Sequence, residues 1–166
     1  QAQTARLALR LEPAEALATA LDRSRPLALL DVTPFANEQG RSKVSEAQCE
    51  VARKLILALL RGGVGPERIG VIAPYLAQVA ARRRRLATSG VVDVVVDTVD
   101  RFQGAEREVI LFSFGGVSAA TAWGGRGLEF LADPRRLNVA LTRAQRKLLI
   151  LGDRRELEQA PLLRRL

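Results

Sequence analysis

Short, β-branched apolar runs alternate with longer stretches in which apolar residues recur at helical spacing, the pattern of a parallel sheet covered on both faces. Strands are predicted at Leu27–Val32, Ile69–Ala73, Val92–Val96, Val109–Phe114 and Lys147–Leu151. Helices are predicted at Pro13–Leu21, Ser45–Arg61, Tyr75–Ala87, Pro134–Ala144 and Arg154–Gln159. Ser45 and Gln48 have capping-box spacing at the start of the second helix, and Gly62 and Gly63 follow its end. The stretch Ala119 to Gly127, with the sole tryptophan among glycines, reads as a loop. The fold class is therefore α/β: a three-layer arrangement around a mainly parallel sheet. Residues 1–26 are read as a helical lead-in that packs on a missing neighbour, and residues 27–166 as one domain.

The helix from Pro134 carries the densest chemistry. Asp133 is a good N-cap, and Pro134 suits the first helical position, where its missing N–H costs nothing. At 100° per residue Leu137, Ala140, Leu141 and Ala144 form the core stripe, flanked by Arg136 and Arg143 about two turns apart. Arg135, Asn138 and Thr142 lie opposite the core. Arginine stays charged and donates in a planar fork, which suits phosphate oxygens. A solvated basic face is the competing reading of this helix taken alone.

The composition narrows the chemistry. The 166 residues are 48% apolar and 27% charged, an ordinary globular balance, and no apolar run reaches the roughly 18 residues of a membrane span. No charged-then-apolar leader is present, so a cytoplasmic protein is expected. The chain starts at Gln1 without a single methionine and is read as a piece of something longer. It has no histidine, which excludes imidazole acid–base chemistry, nucleophilic triads and imidazole metal sites, and its one cysteine, Cys49, excludes an internal disulfide. Cys49 is expected to be an unreactive small hydrophobe. A net charge of +8, nearly all of it arginine, favours polyanionic partners without identifying one. No GxxxxGK[ST] phosphate loop and no paired acidic signature for magnesium occurs. Asp93 and Asp97 on one strand face would stand about 13 Å apart, too far to share a metal ion directly, so no metal site is expected.

A second polar cluster falls within VDTVDRFQGAEREVIL, Val96 to Leu111: a turn carrying Thr98, Asp100, Gln103, Gly104 and Glu106 between two apolar strands. Polar groups at strand ends are where open α/β sheets bind ligands. DTVDRFQGAEREVIL resembles motif V, and DPRRLNVALTRA with the following KLLILGD resembles motif VI, of superfamily 1 helicases of the nonsense-mediated-decay helicase type. IGVIAPYLAQ, Ile69 to Gln78, resembles motif IV of the same group. The motifs stand in the family's order, and with SKVSEAQ before them the resemblance covers roughly Leu27 to Asp153.

The resemblance implies the second of two RecA-like domains of an ATP-dependent DNA or RNA helicase. It would lack its own phosphate loop and close over ATP and Mg2+ held mainly by a missing first RecA-like domain of the same parent chain. It implies Arg143 as an arginine finger, typically worth about 10³ to 10⁵ in rate, with Glu106 and Arg136 completing the catalytic set. Tyr75, stacking on the base, Gln78, Gly104, Glu106 and Arg143 would contact the nucleotide. Thr98, Asp100, Gln103, Arg135 and Asn138 would couple the cleft to single-stranded DNA or RNA. Relatives often carry a second arginine beside the tyrosine or after the glutamine, where this chain has Leu76 and Val79. Arg82, Arg135, Arg136 and an arginine of the missing first domain are the candidates to replace it. The fragment alone is expected to be inactive, and the relatives imply 5′ to 3′ movement by the intact motor. The alternative is a non-hydrolysing nucleic-acid-binding or scaffold module within a larger nuclease or defence protein.

Overall fold

The computed structural model describes residues 18, 20–32, 45–102, 104–113 and 133–152. Five strands form one sheet: β1 (Leu27–Asp31), β2 (Ile69–Ala73), β3 (Val95–Thr98), β4 (Arg107–Ser113) and β5 (Ala144–Gly152). Their spatial order is β1-β5-β4-β2-β3 and every pairing is parallel. Among the described residues three α-helices accompany them, α1 (Glu46–Arg61), α2 (Leu76–Ala87) and α3 (Pro134–Leu141), with a short 3-10 turn at Pro66–Arg68. This is the α/β architecture of a RecA-like fold.

Both faces of the sheet are covered, and β2 is buried at all five positions. On one face Val51, Ala52, Leu55, Ile56 and Leu59 of α1 and Val79 and Leu86 of α2 pack on Leu30, Val71, Leu111 and Leu149. On the other, Ala140 of α3 joins Val99 and Phe102 against Ile72, Ile110, Phe112, Leu148 and Ile150. Burying each large side chain in these layers contributes about 1.5–3 kcal/mol. Gly70 of β2 makes this second layer possible. A Cβ there would stand 2.6 Å from Phe102 Cζ and 2.7 Å from Ile110 Cδ1, so a larger residue would push the Phe102 ring and Ile110 away from the strand.

The elements differ from expectation where the sequence is ambiguous. β3 starts at Val95 rather than Val92: Val92 is 75% exposed, and a bend at Asp93 and Val94 separates it from the strand. β4 starts two residues early and β5 three, because Ala144 already pairs with Arg107. That pairing ends α3 at Leu141 instead of Ala144. The capping box is half formed: Ser45 accepts from Gln48 N, but the Gln48 side chain turns to Ser113 instead of Ser45 N. The expected helix Arg154–Gln159, the loop Ala119 to Gly127, most of the expected helix Pro13–Leu21, and Gln103 lie outside the described residues. No helix among the described residues is long and apolar enough to cross a membrane.

Candidate functional site

Motif VI builds one end of the site through α3. Asp133 caps the helix by accepting from Arg135 N at 2.9 Å, and Pro134 follows at the first position. Ala140 is fully buried, with Leu141 and Ala144 packed beside it, while Arg135, Arg136 and Asn138 are exposed. The helix closes on Thr142, whose N–H and Oγ1 both donate to the Asn138 carbonyl at 3.0 and 2.9 Å. Arg143 then folds back along the helix end. Its Nε donates to Val139 O at 3.0 Å and its Nη2 to Thr142 Oγ1 at 3.2 Å. A cation at the carbonyl end of a helix is favoured by the helix dipole. Among the described residues no carboxylate pairs with Arg143, so its charge is held only by neutral acceptors.

Motif V meets it there. Phe102 anchors the turn after β3, with its N–H on Thr98 O at 2.9 Å, and the chain crosses the sheet face to Arg107. Gly104 is exposed at φ 82° with no atom within 4 Å of where a Cβ would stand, so the backbone conformation alone demands glycine. Glu106 is exposed, and its Oε2 accepts from Gln145 Nε2 at 3.4 Å. Arg107 N donates to Arg143 O at 3.1 Å, which places Glu106 and Arg143 side by side where β4 and β5 begin.

The remaining expected residues are elsewhere. Tyr75 follows β2 and Thr98 ends β3, so Thr98 lies at the far end of the sheet and Tyr75 just beyond it, because Ala73 pairs with Thr98 and Ile72 with Phe112. The six steps from Arg107 to Ser113 separate the two ends by roughly 20 Å. Arg136 is also at the far end, on the first turn of α3. It lies 3.6 Å from Asp100 and 3.8 Å from Asp133, so carboxylates already face it. Tyr75 is half-buried, and burial pushes its phenol up from 10.0.

Gln78 and Arg82 face the core instead of a cleft. Gln78 is fully buried, and its Oε1 accepts from Ser45 N at 3.0 Å. Arg82 is 2% exposed, and its Nη2 donates to Ser113 Oγ, which donates in turn to Gln48 Oε1. Desolvation holds its guanidinium below the usual arginine range, down to about 10. Cys49 packs in this region, and burial raises its thiol. Arg83 forks onto Val96 O at 3.0 and 2.6 Å, and Arg85 bridges Glu46 and Glu50. Sequence reasoning passes over Arg107, although a long cation opening a buried strand beside Glu106 is a visible signal.

The AAA domain family model matches residues 4–155. The regulator of nonsense transcripts 1 homolog of Arabidopsis thaliana is 38% identical over 129 residues, 74% of this chain and 10% of the relative. The DNA replication ATP-dependent helicase/nuclease DNA2 of Mus musculus is 40% identical over 152 residues, 89% of this chain and 14% of that protein. The ATP-dependent helicase NAM7 of Saccharomyces cerevisiae is 40% identical over 127 residues, 73% of this chain and 12% of the relative. This chain thus spans only a small part of the length of these proteins. With a family model across nearly its whole length and relatives named as helicases 40% identical over 73% and 89% of it, the chain belongs to the AAA domain family, among the superfamily 1 helicases.

Proposed function

We propose that this chain is the second RecA-like motor domain of an ATP-dependent DNA or RNA helicase. It completes an ATP site whose phosphate loop and magnesium-binding acids come from the first such domain of the same parent. The observation that carries this reading is Arg143, without a carboxylate partner among the described residues, standing beside Glu106 where β4 and β5 start. Bound ATP supplies the phosphoanhydride whose cleavage drives the motor. Arg143 turns its guanidinium from the Val139 carbonyl and Thr142 hydroxyl to the γ-phosphate and neutralises charge as it develops. Glu106 orients the nucleotide beside it, and Gly104 lets the backbone approach closely.

The opposite end of the sheet serves single-stranded nucleic acid. There Thr98, Asp100 and Arg135 gather, with Asn138 along α3 and Gln103 on the same turn in sequence. Arg136 belongs to this group through its pairing with Asp100. Tyr75 belongs here as well, as an aromatic able to stack on a base, a role that suits its half-buried ring better than a reach of roughly 20 Å to Arg143. Motifs V and VI each run from one end to the other, which gives strand binding a direct mechanical path to the nucleotide. The helicase names of the relatives support the reading. The test is ATP hydrolysis by the intact parent with and without single-stranded DNA or RNA: stimulation by one polymer is expected, and no hydrolysis under either condition contradicts the proposal.

A further inference from the structure

Arg107 opens β4 between the two residues assigned to the nucleotide and bonds to both. Its backbone N–H donates to the Arg143 carbonyl at 3.1 Å, and its Nη1 donates to the Glu106 carbonyl at 2.7 Å. The stem runs over Gly70, where a Cβ would stand 3.1 Å from Arg107 Cγ, so the glycine that admits Phe102 also seats this side chain. Nε is buried and has no hydrogen-bond partner. An unsatisfied buried donor is destabilising, a penalty that a side chain kept only for packing would avoid by turning to water.

The sheet is irregular at the same point. Arg107 pairs with Ala144 and Val109 with Lys147, so two steps on β4 meet three on β5, directly after Arg143. Such bulges re-aim side chains beside active sites.

We infer that Arg107 is a positioning residue for ATP turnover: it clasps the Glu106 and Arg143 carbonyls and fixes the acid and the arginine relative to one another. This rests on the nucleotide reading above. The backbone half of the clasp survives any substitution except proline. The side-chain half needs a long donor, which lysine retains and leucine lacks.

The test compares Arg107→Leu and Arg107→Lys with the wild type in the full-length parent, measuring kcat and KM for stimulated ATP hydrolysis together with Tm. Misplacing a reacting group by an ångström is enough for large losses, so Arg107→Leu is expected to lower kcat about tenfold with KM within about twofold. Its Tm should hold, because the unsatisfied Nε is removed, and Arg107→Lys should recover most of the rate. Wild-type kcat in Arg107→Leu, an equal loss in Arg107→Lys, or a loss that follows a fallen Tm overturns the inference. If the wild-type parent hydrolyses no ATP, the functional reading fails, and the clasp is judged by amide hydrogen exchange in this chain. Faster exchange confined to residues 105–107 in Arg107→Leu supports it, and unchanged exchange there overturns it.

Discussion

Four consecutive arginines, Arg82 to Arg85, meet four different environments. Arg82 is sealed between α1, α2 and β4, Arg83 is forked onto Val96, Arg84 is exposed and Arg85 is paired with two glutamates. A row of like charges on a helix is thus sorted by the 100° step and not by composition. Glu50 is the acidic hub of this surface. It accepts from Arg53 at 2.9 and 2.5 Å and from Arg85 at 3.2 Å, and the Arg53 bonds chiefly lower its carboxyl to about 2 from 4.5. A folded-state value below the unfolded one means a stabilisation complete above pH 4.5 and lost as pH falls toward 2. Its side chain is a third exposed, so screening keeps the effect small. Glu50→Gln is expected to flatten the fall in urea-melting stability across that window, and an unchanged acid slope would show that the bonds contribute nothing.

At the scale of elements, β2 is legible to the residue because Arg68 and Pro74 bracket five small or β-branched positions. β3 is not, since the valine-rich run around Asp93 offers several equally apolar registers, and only pairing with Gly70 to Ala73 selects one. The members of the site are legible as motifs, but their division between two ends is not read from the motifs. The signal is nonetheless in the sequence: in a parallel sheet a residue that follows a strand, such as Tyr75, and one that precedes a strand, such as Arg143, lie at opposite ends. The inward turns of Gln78 and Arg82 depend on packing between α1 and α2, which helical periodicity alone does not resolve. Gly70 ties element to site, because it admits Phe102 and seats Arg107. Gly70→Ala is therefore expected to cost about 1–3 kcal/mol through overpacking. Urea unfolding checks this, and a neutral result would mean that Phe102 and Ile110 shift freely.

Taken whole, the molecule is a parallel sheet with different chemistry at its two ends: Glu106, Arg107 and Arg143 at the strand starts, and Tyr75, Thr98, Asp100 and Arg136 at or beyond the other. A net charge of +8 suits a domain whose proposed ligands are a triphosphate and a nucleic-acid strand. The sequence carries no GxxxxGK[ST] phosphate loop, so the proposed activity belongs to the parent protein, with this domain supplying the arginine. The measurement that tests this most directly is steady-state ATP hydrolysis by the intact parent, wild type beside Arg143→Ala, with nucleotide affinity measured in parallel. A loss of about 10³-fold or more in turnover, with affinity largely kept, is expected; near-normal turnover in Arg143→Ala would contradict the arginine's role.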